Sequence, residues 1–159
     1  MSSDPHMVGG APVGVLDRLP PWESRTVMNL RLWCEGPEGR AEVRAGFETA
    51  LPLQDAEHQC RAFERLLQTI LQAAHRPLVR HDVGCGCMGA DEGVFLHLIR
   101  TAAMGRHRDA ALIATLLVGP SEAEAVALLA SKVGLCAKYM HACDTTRGPA
   151  RPAPVVRLH

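Results

Sequence analysis

The chain has 159 residues, 17 basic and 17 acidic, and no formal net charge. One domain is the default at this length. Hydrophobic residues at 47% and charged residues at 21% exclude a wholly disordered chain, and the neutral balance argues against a protein built around a nucleic-acid footprint. The longest apolar run, residues 110–118, is far short of the roughly 20 residues a spanning helix needs.

No basic segment followed by an apolar stretch opens the chain, so a cytoplasmic location is the expectation. There the six cysteines stay reduced and act as core thiols, metal ligands or redox groups, not as a disulfide frame. Lys132 and Lys138 are the only lysines, and with abundant Ala and Gly this suggests a GC-rich bacterial coding sequence. Aromatics are 4%, which leaves the core to Leu, Val, Ile and Ala.

Residues 1–27, rich in Pro and Gly without a sustained period, read as a flexible segment, and Met28 is a second candidate start. Residues 28–143 read as one helical domain and 144–159 as a flexible Pro/Arg-rich tail. Leu30, Leu32 and Cys34 alternate with Arg31 and Trp33, which predicts a strand over 29–34. Helices follow over 40–51, 54–74 and 91–104, each with an apolar stripe at helical spacing. Residues 109–118 read as a helix buried on most sides. Ser121 and Glu124 have the spacing of a capping box for a helix running to Val133, with 135–140 continuing it or turning back as a strand. The expected fold is mainly α: about five helices around one core, with room for a two-stranded β-ribbon pairing 29–34 with 78–83 or 135–140. An α+β arrangement is the alternative.

The segment 81–89 carries the most chemistry. His81, Cys85 and Cys87 lie within seven positions, and Gly84, Gly86 and Gly89 let the backbone bend so that the thiols converge. A zinc ion takes four N or S donors, with the thiols deprotonated. His81, Cys85 and Cys87 therefore form a candidate zinc site in a structural or sensing role. Cys143 is the preferred fourth ligand, and His141, Cys34 and Cys60 are alternatives. Cys60 and Cys34 fall on apolar faces and read as core. A second reading makes Cys85 and Cys87 a redox pair ahead of a helix N-terminus, which favours a thiolate, against the opposing charges of Asp82, Asp91 and Glu92. A third is a plain helical interaction protein, such as a homodimer, without special chemistry.

Asp91 and Glu92, adjacent on a helix and so about 100° apart, read as helix N-terminal charges and not as an acid/base pair. His97 reads as a partly buried, hydrogen-bonded histidine. Arg76, Arg80, Arg100 and the Arg106-His107-Arg108 run are candidates for a basic patch. Residues 110–133 have the outline of a helix-turn-helix, but the second helix opens Ser-Glu-Ala-Glu-Ala, which would repel phosphate. Gly84, Gly86 and Gly89 match a dinucleotide fingerprint formally, without the strand–helix alternation it requires. The sequence thus points to a small cytoplasmic binding or regulatory protein more than to an enzyme, with a protein partner or a second copy of itself and no membrane.

Overall fold

The computed structural model describes residues 11–148. The parts of the two expected flexible segments at 1–10 and 149–159 lie outside the described residues. In chain order the elements are β1 (Pro12–Val15), a 3-10 turn (Leu16–Arg18), α1 (Pro21–Glu35), α2 (Pro37–Ala50), α3 (Leu53–Ala73), β2 (Cys87–Gly89), α4 (Ala90–Ala103), α5 (His107–Ala114) and α6 (Pro120–Arg147). The fold is mainly α, with six helices and one small antiparallel ribbon among the described residues. No helix there is long and apolar enough to cross a membrane.

The largest departure from expectation is at 29–34, which is the second half of α1 and not a strand. The buried positions Glu23, Thr26, Val27, Leu30, Arg31 and Trp33 recur at helical spacing. Three of these six are polar, so the stripe is hidden from a hydrophobic pattern, and the alternation of Leu30, Leu32 and Cys34 is incidental. Pro21 takes the first helical position, where its missing N–H costs nothing. Gly36, with φ +118°, ends α1 in a backbone conformation that L side chains rarely adopt. Residues 12–27, assigned by composition to a flexible segment, hold β1, the 3-10 turn and the first half of α1.

The ribbon also forms elsewhere than expected. β1 pairs antiparallel with β2, Gly14 opposite Met88 and Val15 opposite Cys87, with an irregularity between Pro12 and Gly14. Neither 78–83 nor 135–140 is a strand. Residues 135–140 continue α6, which runs on through 144–147.

Helices α2, α3 and α4 fall within three residues of their predicted bounds. The run 110–118 is less buried than its composition suggests. Ala110, Ala114, Leu117 and Val118 face inward, but Leu112 and Leu116 are about two-thirds exposed. The helix ends at Ala114, and a series of turns leads to Val118. Ser121 does not cap α6: it lies inside the helix, donates to Glu122, and leaves the N-cap position to Gly119.

The main core joins α3 (Phe63, Leu66, Ile70), α4 (Leu98, Ile99) and α6 (Val126, Ala130). Burying each large apolar side chain stabilises by about 1.5–3 kcal/mol. A separate small cluster, Leu16, Val27, Met88 and Leu96, packs under the ribbon. It ties β1, α1, β2 and α4 into the platform on which the 81–89 loop rests.

Candidate metal centre

The loop is organised around two charged side chains with zero exposure, Arg31 of α1 and Glu92 of α4. Glu92 is the third residue of α4, where a carboxylate meets the free amides and positive end of the helix. Its oxygens accept from the Gly89 amide at 2.9 Å, the His81 amide at 3.1 Å, and Arg31 Nε and Nη2 at 2.7 and 2.9 Å. Arg31 Nη1 donates to the carbonyls of Asp82 (3.0 Å) and Cys85 (2.6 Å), and Nη2 also donates to the carbonyl of Cys87. All five guanidinium donors and both carboxylate oxygens are thereby used. An ion pair that is buried yet fully hydrogen-bonded escapes the penalty of an unpaired internal charge. Here its surplus donors serve as a template for three carbonyls of the loop.

Neighbouring contacts complete the frame. A turn closes from the Cys85 amide to the Asp82 carbonyl at 3.0 Å, and the Leu16 amide reaches the Gly86 carbonyl at 2.9 Å. Asp91 accepts two hydrogen bonds of 2.7 Å from Arg76 and one of 2.8 Å from the Val79 amide, which fixes the segment leading into the loop. Asp91 and Glu92 do sit in the first turn of α4, as expected, but they point to opposite ends of one connection and each anchors it. Sequence reasoning missed Arg31. Its one visible signal was a lone arginine between Leu30 and Leu32 in an otherwise apolar stretch.

On this frame His81, Cys85 and Cys87 meet, with one donor atom from each lying within 4.8 Å of the others. His81 is buried, while the two thiols are half-buried. His81 Nδ1 lies 3.3 Å from Cys85 Sγ, and the Cys87 amide donates to the same sulfur at 3.4 Å. The His81 contact, then the Cys87 amide and thiol, pull the Cys85 thiol below its ordinary pKa. Cys87 is pushed up, mainly because Cys85 beside it competes for the negative charge. His81 Nε2 is buried with no hydrogen-bond partner, so within the protein the ring's polarity is directed at the sulfurs.

The donor set suits a thiophilic ion. Zinc bond lengths of about 2.3 Å to sulfur and 2.0–2.1 Å to nitrogen imply an N···S separation of about 3.6 Å in a tetrahedron. The 3.3 Å between Nδ1 and Cys85 Sγ therefore needs to open only slightly. The three residues can hold a metal ion, and as three donors they leave one of zinc's four positions to a ligand from outside the group.

The remaining candidates are dispersed. Cys143, expected as the fourth ligand, lies near the end of α6 and is not part of the group, because α6 continues as helix instead of returning to the loop. Cys60 and Cys136 are buried in the core and Cys34 packs against it. Burial raises the thiol pKa of all three, that of Cys136 to about 11. His97 is exposed and touches Arg100, contrary to the expected partial burial. Four of the five arginines considered for a basic patch have separate acidic partners: Arg76 with Asp91, Arg80 with Glu35, Arg100 with Glu23, and Arg106 with Asp109.

The chain matches no known protein family, no curated protein and no solved structure. Fold and site together define a mainly α protein with a small ribbon, bearing a His/Cys group that can hold a metal ion.

Proposed function

We propose that this chain is a small regulatory metal-binding protein of a reducing, cytoplasmic compartment, which takes up a soft-ligand ion such as zinc through His81, Cys85 and Cys87. The observation that carries the reading is the convergence of three donors on a loop already held by the Arg31–Glu92 pair. Structural zinc sites commonly supply the folding energy of their domain. Here the loop's backbone is fixed by protein groups and the main core lies elsewhere, which favours reversible, sensing occupancy over a structural role. With three protein donors the ion keeps one position for an outside ligand, the route by which occupancy would be communicated to a partner.

The test is zinc titration of the reduced, metal-free full chain against a chromophoric competitor, with elemental analysis of protein purified without chelator. One equivalent should bind. Cys85→Ser and Cys87→Ser should each weaken binding by at least about tenfold, while Cys143→Ser should not, because each thiolate supplies a full zinc bond. Retention of stoichiometric zinc by the Cys85→Ser, Cys87→Ser double variant, or no uptake by the native chain, would sink the reading.

A further inference from the structure

Cys85 is flanked by Gly84 and Gly86, and the fold itself does not need either glycine. Neither has a positive φ, and a Cβ built at either position would meet no atom within 4 Å among the described residues other than its chain neighbours. Gly134 differs: its added Cβ would strike Ala103 at 2.7 Å and the Ile99 carbonyl at 2.8 Å. Both loop glycines are exposed, and the sulfur between them is half-buried. The half-buried thiol thus stands between two exposed positions that carry no side chain and have room for one.

Cys85 Sγ is also where the site's polar contacts converge: the His81 ring at 3.3 Å and the Cys87 amide at 3.4 Å both face it. Negative charge gathering on that sulfur is met by the Cys87 amide, and by the His81 ring in the tautomer that carries its proton on Nδ1. Cys87 Sγ lies within 4.8 Å of Cys85 Sγ, so the second thiol stands beside the first, and closing that gap to the roughly 2.05 Å of a disulfide is the movement the loop must make.

We propose that Cys85 and Cys87 form a dithiol that exchanges with disulfides, Cys85 attacking and Cys87 resolving, and that Gly84 and Gly86 keep the approach clear for a disulfide carried on a polypeptide. Attack at sulfur is collinear, so the leaving sulfur and its chain must fit beyond the one attacked. The Cys85 thiolate attacks one sulfur of R–S–S–R, a Cys85–S–S–R bond forms, and RS⁻ leaves with the electron pair. Cys87, as a thiolate, then attacks Cys85 Sγ, the Cys85–Cys87 disulfide forms, and the second RS⁻ leaves. The two protons given up by the protein thiols end on the two RS⁻ groups. The protein is oxidised by two electrons, and the substrate is reduced to two thiols. No ion takes part, so the inference stands apart from the metal reading although it uses the same residues.

The experiment treats the reduced full chain, with chelator present, with oxidised glutathione and separately with a disulfide-bonded polypeptide such as insulin. Quenched samples are mapped by mass spectrometry. The native chain should end with a Cys85–Cys87 disulfide, Cys87→Ser should stop at a mixed disulfide on Cys85, and Cys85→Ser should react at least about tenfold more slowly. The Gly84→Val, Gly86→Val double variant should melt with the native chain. Its rate with glutathione should stay within about twofold, and its rate with the polypeptide should fall about tenfold. Equal slowing with both substrates would overturn the access argument. A mixed disulfide on Cys34 or Cys143 in place of Cys85, or undiminished reaction of Cys85→Ser, would overturn the exchange itself. Zinc uptake is measured under reductant and exchange under chelation, so failure of one leaves the other standing.

Discussion

At the scale of single residues the protein turns on Arg31. A guanidinium with no exposure is retained because Glu92 compensates its charge and five acceptors take its donors. Removing one partner of such a pair leaves an unpaired buried charge and costs about 3–5 kcal/mol, whereas replacing both with apolar residues of similar volume is often nearly neutral. Arg31→Met should therefore destabilise by several kcal/mol in denaturant unfolding, and adding Glu92→Leu should restore part of the loss. The recovery should be incomplete, because the carbonyls of Asp82, Cys85 and Cys87 and the amides of His81 and Gly89 would still lack their partners. Strictly additive losses in the double-mutant cycle would show that the two side chains are not coupled and would remove the template account of the loop.

At the scale of elements, the legible helices were those whose buried face is apolar. Cys60, Phe63, Leu66, Leu67 and Ile70 announce α3, and all five are buried. Helix α1 was misread because its inward face includes Glu23, Thr26 and Arg31, and the partners of the two charged residues lie far away in sequence, Arg100 for Glu23 and residues 82–92 for Arg31. The course of α6, which continues as helix, stayed open beyond residue 134 between that and a returning strand because Gly134 looks like a stop. In the fold it is a mid-helix residue where α6 crosses α4 too closely for a side chain, with Ala103 and Ile99 in the way. This explanation can be tested by contrast. Alanine is favoured over glycine in a helix interior by about 1 kcal/mol, but overpacking a filled contact costs about 1–3 kcal/mol. Gly134→Ala should lower the melting temperature. Gly46→Ala, on α2 with nothing within 4 Å of the new Cβ, should raise it by the propensity gain alone. Stabilisation by Gly134→Ala would mean that the α4–α6 crossing is looser than described.

At the scale of the molecule, the sequence disclosed the fold class and the three donors, and it hid what brings them together. His81, Cys85 and Cys87 are close in sequence, so their spacing is informative. Arg31 and the ribbon strand β1 reach the loop from 51 or more residues away, through contacts no local pattern encodes. The same long-range logic predicts an acid response. Arg76, then the Val79 amide, hold Asp91 below its ordinary carboxylate pKa despite partial burial. A carboxyl whose folded pKa is depressed binds fewer protons in the folded than in the unfolded state across that interval. Its stabilising contribution is complete above the unfolded value of 3.8 and is lost as pH falls through the folded value. Arg76 is 62% exposed, so solvent screening keeps the contribution on the order of 1 kcal/mol. The whole chain, with 17 acidic and 17 basic residues, also becomes strongly positive in acid, and that repulsion destabilises native and variant proteins alike. The comparison with Asp91→Asn separates the two effects. The variant should melt below the native chain at neutral pH, and the gap should narrow as pH drops below about 4 and close once Asp91 is protonated in the folded protein. A gap that stayed constant through that window would mean that Asp91 acts through packing and not through its charge on Arg76.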